Sequence, residues 1–253
     1  YVDKKERYKW KAVQHFQEHW NGEAEDFYGM LNESLRLTKN LLDSGSYYPK
    51  RVLLLIAKAD PKAAKDVLSR VFDETIHLEN RFEKFKEDMG KLVDLHVPQK
   101  NPYQDHRAFM VYLCLRYPDT YYLYKFNMFK IFAERINFNY KPIKGCFSNV
   151  FQFEELCRIV KSSLVEDNEL LSLHHERLDQ VCYQDPTYNL LTQDFIYATV
   201  QHMDKINNDE SNDLKWDISE GSIDGLNLKL PESNFTGTKI DHERRQRRNS
   251  KIG

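Results

Sequence analysis

The chain has 253 residues, of which 41 % are hydrophobic and 30 % charged, and 37 basic residues nearly balance 39 acidic ones. This composition excludes a collagen-like, mucin-like or wholly disordered chain. The net charge of −2 also excludes a dedicated nucleic-acid coat protein, because such a protein would be strongly basic. No apolar run approaches about 18 residues, so no membrane span is predicted. Four cysteines without a Cys-x-x-Cys pair favour a reducing, cytoplasmic compartment.

Apolar residues recur at helical spacing along most of the chain. The spacing predicts helices over residues 3–20, 24–43, 47–57, 61–72, 75–93, 104–116, 127–137, 149–165, 167–182 and 190–203. Between two of them, Thr120 to Tyr124 is aromatic and β-branched, which is typical of a short strand. The expected fold class is therefore mainly α, a multi-helix domain with at most a small β element near residues 120–125.

The sequence changes in character after Met203. Residues 205–240 hold seven acidic residues against four lysines, with frequent Gly, Ser and Asn, which is typical of a linker. Residues 241–253 are basic. We therefore predict a helical N-terminal recognition domain over 1–204, an acidic linker or loosely packed tail over 205–240, and the start of a truncated following domain over 241–253. A basic arm that contacts phosphate is the alternative for the last segment.

Motifs for catalysis are missing from the sequence. There is no phosphate-binding Gly-x-x-x-x-Gly-Lys-Ser/Thr loop, no Gly-x-Gly-x-x-Gly and no Gly-x-Ser-x-Gly. His174 and His175 are adjacent, so on a helix they point about 100° apart and do not form a metal-binding pair. Asp213-Leu214-Lys215 has minimal nuclease spacing, but it lies in the linker-like tail. We predict no catalytic residue, no metal and no cofactor, and hence no enzymatic activity for this chain.

Residues 103–140 are unusually aromatic, with twelve aromatic side chains among 38 residues, and basic residues stand between them. Aromatic rings stack on unstacked or flipped bases, and Arg and Lys bind phosphate. The structural alternative is an aromatic core whose tyrosine hydroxyls reach the surface. The candidate nucleic-acid-binding residues are Arg107, Arg116, Tyr122, Tyr124, Lys125 and Lys130, joined by Arg244 and Arg245 from the basic end.

Two stretches carry a resemblance to a known family: Asn101-Pro102-Tyr103-Gln104-Asp105-His106-Arg107, and Leu115-Arg116-Tyr117-Pro118-Asp119-Thr120-Tyr121-Tyr122-Leu123-Tyr124-Lys125. The block resembles the N-terminal regions of McrB-like AAA+ restriction proteins and their relatives in bacterial defence. The likeness extends over residues 24–204. The final Arg247-Arg248-Asn249-Ser250-Lys251-Ile252-Gly253 is similar to the lead-in to a NO VEIN-type C-terminal domain, related to PD-(D/E)XK nucleases.

The resemblance implies the recognition or specificity region of a bacterial restriction or anti-phage protein. Such a region would contact DNA, plain or modified, while a nuclease or motor domain acts from elsewhere in the same parent chain or complex. The alternative is a protein-interaction or oligomerisation module that senses a phage or host partner. The near-neutral charge and the heavily charged residues 75–93 favour this second interpretation.

Overall fold

The computed structural model describes residues 6–98 and 101–209, with side chains through residue 202. These residues form eleven α-helices and no strand, apart from one isolated antiparallel bridge between Ser44 and Tyr47. The mainly α fold class is therefore confirmed. The helices are α1 Tyr8–His19, α2 Phe27–Ser34, α3 Lys39–Leu42, α4 Pro49–Ala59, α5 Pro61–Val71, α6 Leu78–His96, α7 His106–Arg116, α8 Phe126–Arg135, α9 Ser148–Leu164, α10 Asn168–Arg177 and α11 Asn189–Asp209.

The first six helices pack on one another in a group. Helix α2 contacts α1, α4 and α5, while α5 and α6 both contact α4. Local sequence explains why several of these helices begin where they do. Pro49 and Pro61 occupy the first helical turns of α4 and α5, where a missing N–H costs nothing. The Asp60 carboxylate accepts a hydrogen bond of 2.9 Å from Ala63 N and so caps α5.

Helix α7 lies at the centre of the molecule. Every residue from Ala108 to Leu115 is buried. This helix is apolar on all sides, so none of its faces is suited to contact with water. It packs against α1 and α3, whereas α8, α9 and α11 contact one another. A single hydrophobic core extends through all of these helices, from Trp10 to Val200. The position of α7 places its first turn, with Arg107, beside α1 and α3.

The strand predicted near residues 120–125 is wrong. Tyr121–Lys125 is an irregular link between α7 and α8 and has no strand partner in the described chain. All four side chains from Tyr121 to Tyr124 are buried, because protein covers both sides of the link. Phe153 of α9 packs on the Tyr124 ring, and Arg81 of α6 donates to the Tyr121 hydroxyl at 2.7 Å.

Three predicted boundaries also change. The helix expected over 24–43 divides into α2 and α3, and the Ser34 and Thr38 hydroxyls near the break bond to the carbonyls of Met30 and Leu35. The helix expected over 167–182 ends at Arg177. Helix α11 continues to Asp209, past the predicted domain end at residue 204. The rest of the predicted linker, 210–240, and the basic segment 241–253 lie outside the described residues.

None of the described helices combines the length and the apolar character that are needed to cross a membrane.

Candidate functional site

A pocket of about 470 Å³ opens between α1, the first turn of α7, the link before α8, and α11. Its volume falls within the range of roughly 300–1,000 Å³ that is common for small-ligand sites. The lining is basic and aromatic. It includes three cations, Lys9, Arg107 and Lys125, and three tyrosines, Tyr8, Tyr124 and Tyr197.

Lys9 is the most deeply buried of the three cations, with 2 % of its surface exposed. Its Nζ lies 2.6 Å from Asp194 Oδ1 and 3.0 Å from Glu6 Oε2. The same amino group lies 4.5 Å from the centre of the Tyr197 ring. A buried charge is tolerated only when it is paired, and these two carboxylates pair it. Lys9 therefore belongs to the fold as much as to the pocket.

Arg107 is held in place without an acid. Its Nη2 donates to the Leu41 carbonyl at 2.8 Å, and its guanidinium carbon lies 4.6 Å from the centre of the Tyr47 ring. A carbonyl and an aromatic face orient a guanidinium but leave its charge in place. Within the described chain, no carboxylate lies within ion-pair distance of Arg107. Its remaining N–H groups are available to an anion in the pocket.

Lys125 stands directly before α8 at the pocket rim, and it too has no acidic partner among the residues described here. Partial desolvation lowers the pKa of its amino group, and the charges of Arg107 and Lys9 lower it further, against the opposing effect of Glu6. The pocket thus has two cations, Arg107 and Lys125, without an ion-pair partner among the described residues, beside one acidic residue, Glu6. These two cations suit a negatively charged ligand.

Three buried polar atoms on the pocket-lining residues have no hydrogen-bond partner in the described part of the chain: Glu6 Oε2, the Tyr124 hydroxyl and Gln193 Oε1. Glu6 Oε2 lies 3.0 Å from the Lys9 ammonium and is paired by charge, which distinguishes it from the other two. Most buried polar groups in folded proteins have a partner, because leaving one unpaired costs about 1–3 kcal/mol. A ligand with both donors and acceptors would supply partners of the kind these two groups lack.

The pocket brings together three of the eight residues predicted from the sequence, namely Arg107, Tyr124 and Lys125. Tyr124 is only 3 % exposed, so its ring lacks an open stacking face. The link that carries Tyr124 and Lys125 is irregular, as described above. It nevertheless places Lys125 within reach of Arg107, which lies 18 positions earlier in the sequence.

The other predicted residues lie elsewhere. Arg116 covers the Tyr117 ring at 4.9 Å from its centre, at the far end of α7. Tyr122 is buried beneath Lys161, and Lys130 pairs with Glu134 at 3.8 Å along α8. None of them lines the pocket. Arg244 and Arg245 fall outside the described residues.

The remaining pocket residues were not predicted from the sequence, among them Glu6, Lys9 and Tyr197. Glu6 and Tyr197 belong to opposite ends of the described chain, and no local pattern joins them. The sequence does contain an indication that Lys9 is special. It lies four residues before Val13 and therefore on the apolar side of α1, where a lysine needs an acidic partner.

A second group of polar side chains lies beneath the pocket and joins α1, α10 and α11. The buried Asp185 carboxylate accepts hydrogen bonds from Leu190 N at 3.1 Å and Leu191 N at 2.8 Å, and so caps the start of α11. Trp10 Nε1 donates to the same carboxylate at 3.4 Å, and His174 Nε2 stands 3.6 Å away. Burial raises the pKa of Asp185 to about 6 and lowers the pKa of His174 to about 4.

The buried group and the pocket are connected through one carboxylate. Asp194 binds Lys9 and also lies 3.4 Å from Arg177 Nη2. The guanidinium of Arg177 covers the Trp10 ring at 4.5 Å from its centre. We call Trp10, His174, Arg177, Asp185 and Asp194 the buried polar network. It has the features of a structural element, because its two carboxylates pair with cations and N–H donors away from solvent. Both ring nitrogens of His174 and Arg177 Nε are buried without a hydrogen-bond partner in the described chain.

Comparisons of the chain with protein-family models, with curated proteins and with solved structures find no match. The likeness to the N-terminal regions of McrB-like restriction proteins stays a prediction. The chemistry of the site therefore rests on the geometry of the pocket, which is basic at its rim, aromatic in its walls and deep enough for a small ligand or one unit of a polymer.

Proposed function

We propose that this helical domain recognises DNA, plain or modified, as part of a restriction or anti-phage defence protein in the bacterial cytoplasm. The observation that carries the proposal is the convergence of Arg107 and Lys125, two cations without acidic partners in the described chain, on one tyrosine-lined pocket. Phosphate is the anion that each unit of DNA presents, and Arg and Lys are its usual partners.

The shape of the pocket fits one unstacked nucleotide better than a continuous duplex. A phosphate would lie at the rim between Arg107 and Lys125, and the base would enter toward Tyr8 and Tyr197, both of which are partly exposed. The Gln193 amide, with its free oxygen, suits hydrogen bonding to a base edge. Recognition of a flipped base in this way would allow plain and modified bases to be distinguished.

The proposed role is binding, with catalysis left to another part of the system. We propose that a nuclease or motor domain in the same parent chain or complex acts on the DNA once this domain has bound it. Because the chain has a net charge of −2, we expect its affinity for DNA to come from a few local contacts. The affinity should therefore depend only weakly on salt concentration.

Fluorescence anisotropy with short labelled oligonucleotides tests the proposal. The probes are single strands and duplexes, plain or carrying 5-hydroxymethylcytosine, at about 50 mM and about 200 mM salt. Lys125→Ala should weaken binding roughly threefold to tenfold and reduce the salt slope by about 1. Lys130→Ala is the matched control, since Lys130 is also exposed but pairs with Glu134 outside the pocket.

Two results would overturn the proposal. The first is that the unaltered chain fails to bind any probe at about 50 mM salt, where phosphate contacts are strongest. The second is that Lys125→Ala and Lys130→Ala reduce binding equally, which would show that general surface charge and not the pocket is responsible.

A second candidate function is a protein-interaction or oligomerisation module that senses a phage or host partner. Its supporting observation is a set of large apolar side chains exposed by more than half: Leu95, Ile143, Leu173 and Val181. Such residues suit contacts with another protein when they lie together. Light scattering of the chain and of Leu173→Ser would test self-association. A dimer that the substitution weakens favours this function, and a monomer in both samples rejects self-association.

A further inference from the structure

Helices α1 and α2 hold three metal-ligating side chains close together. His15 and His19 lie four residues apart on α1, so they share one face, and their ring centres are 4.0 Å apart. Glu33 of α2 faces both of them. We propose that His15, His19 and Glu33 bind a divalent transition-metal ion, with zinc as the best fit.

The distances suit a tetrahedral metal. Zinc ligands lie about 2.0–2.2 Å from the ion, which places neighbouring ligand atoms about 3.3 Å apart. Glu33 Oε1 is 3.2 Å from His15 Nε2 and 3.8 Å from His19 Nε2. All three ligand atoms lie within 4.8 Å of one another. The Glu33 side chain is 42 % exposed and therefore has room to move by the small remaining distance.

His19 is already oriented as a ligand. Its Nδ1 lies 2.8 Å from the His15 backbone carbonyl, so Nδ1 carries the proton and donates it. The lone pair is then on Nε2, the atom that faces Glu33. Metal-bound histidines almost always donate their second ring N–H to a carbonyl or carboxylate in this manner. The hydrogen bond therefore fixes both the tautomer and the ring orientation that a metal requires.

His15 must change tautomer when metal binds. Its Nε2 lies 2.8 Å from the Glu33 carbonyl, to which it donates in the metal-free arrangement. The loss of that bond leaves no orphaned group, because the same carbonyl accepts from Arg36 N at 2.9 Å. The proton then moves to Nδ1, and Nε2 becomes the ligand.

Arg36 both prepares the site and competes for it. Its Nε donates to Glu33 Oε1 at 2.8 Å, and this is the same oxygen that faces the two histidines, so the hydrogen bond holds the carboxylate beside them. The same guanidinium occupies one carboxylate oxygen and repels a cation. Removal of Arg36 should therefore strengthen metal binding.

The donor set selects the metal class. Two imidazoles and one carboxylate suit Zn²⁺, Cu²⁺ or Ni²⁺, whereas Mg²⁺ and Ca²⁺ prefer oxygen ligands throughout. His19 is 38 % exposed at its side chain and Glu33 42 %, so the site opens to solvent. With three protein ligands, a zinc ion would keep a fourth position for water or another ligand.

The test uses the full chain, metal-free, with Zn²⁺ and Co²⁺ as probes. Competition against a chromogenic zinc chelator should show one tight equivalent, and Co²⁺ should give the visible absorption of a tetrahedral site. His19→Ala and Glu33→Gln should each weaken binding at least about 10–100-fold, the loss that even outer partners of a metal site cause. Arg36→Ala should strengthen binding.

His175→Ala is the matched control, because His175 is also exposed on a helix and belongs to no such cluster. It should leave zinc affinity unchanged. Equal weakening by His175→Ala and His19→Ala would show scattered histidine binding and would overturn the site, as would the absence of a stoichiometric equivalent at micromolar zinc. Circular dichroism confirms that the surface variants remain folded. Because no pocket residue takes part, DNA binding and zinc binding can fail separately.

Discussion

The pocket and the buried polar network lie on two sides of α1 and use similar residues in opposite ways. In the network, Asp185 has three hydrogen-bond donors, and Arg177 has both Asp194 and the Trp10 ring. In the pocket, Arg107 and Lys125 form no ion pair with any described carboxylate, and Glu6 in the same lining pairs with Lys9 instead. Paired buried charges hold helices together, whereas unpaired charges at a pocket rim are positioned for a ligand.

The largest expected effect concerns the network. Asp185→Ala removes the acceptor for Leu190 N, Leu191 N and the Trp10 indole, and leaves these donors buried without partners. We expect a loss of about 3 kcal/mol in the free energy of unfolding, measured by urea denaturation. Asp26→Ala, which removes the exposed cap of α2 at Gly29 N, should cost only about 1 kcal/mol. Equal losses would contradict a structural role for the network.

The second effect is a dependence on pH. The pKa of Asp185, about 6, is above its ordinary 3.8, so its stabilising contribution is complete at low pH and is lost as pH rises through 6. The pKa of His174, about 4, is below its ordinary 6.5, so its contribution is complete above 6.5 and is lost as pH falls through 4. Between these limits the two contributions oppose each other.

This opposition can be broken with Asp185→Asn, which keeps an acceptor and tolerates the positive φ of 50° at this position. Only the histidine then titrates. The free energy of unfolding of the variant, relative to the unaltered chain, should fall by about 1 kcal/mol for each pH unit between about 6 and about 4. Urea unfolding across this range measures the difference. Parallel pH profiles would show that the two side chains do not balance each other.

The smallest expected effect concerns the stability of the pocket. Lys125→Ala removes a cation that is repelled by Arg107 and Lys9. The free energy of unfolding should change by less than about 0.5 kcal/mol, with a slight gain favoured, even though DNA binding is weakened. Thermal melting provides the measurement. A loss greater than about 1 kcal/mol would place Lys125 with the structural residues and remove the contrast between the two regions.

Most helices were predictable because they carry an apolar stripe with a period near 3.6 residues, whereas α7 is apolar all round. The conformation of Thr120–Tyr124 was not predictable, because an aromatic run beginning with a β-branched residue fits a strand as well as it fits a buried link. A strand needs a partner strand, and that requirement is invisible in a local window. The break between α2 and α3 was missed for a related reason. Ser34 and Thr38 bond to backbone carbonyls there, but their side chains look like ordinary polar positions in sequence.

The candidate sites were predictable in part. Arg107 and Lys125 stood out as basic residues within an aromatic block, but Lys9, nearly one hundred positions earlier, joins them only through the packing of α1 on α7. The spacing of His15 and His19, four residues apart, is visible in the sequence, but two histidines alone do not make a metal site. The partner Glu33 required the fold, because α2 brings it to α1 across a turn.

The arrangement of Arg177 over Trp10 also gives the protein an internal optical reporter. Asp194 joins Lys9 in the pocket to this guanidinium. If an anion drew Lys9 away, Asp194 would have Arg177 as its remaining cation, and we expect the electrostatic environment of the indole to change. Indole emission responds to nearby charge. With Trp20 and Trp216, the other two tryptophans, replaced by phenylalanine, the remaining emission would follow occupancy of the pocket in solution without any attached dye.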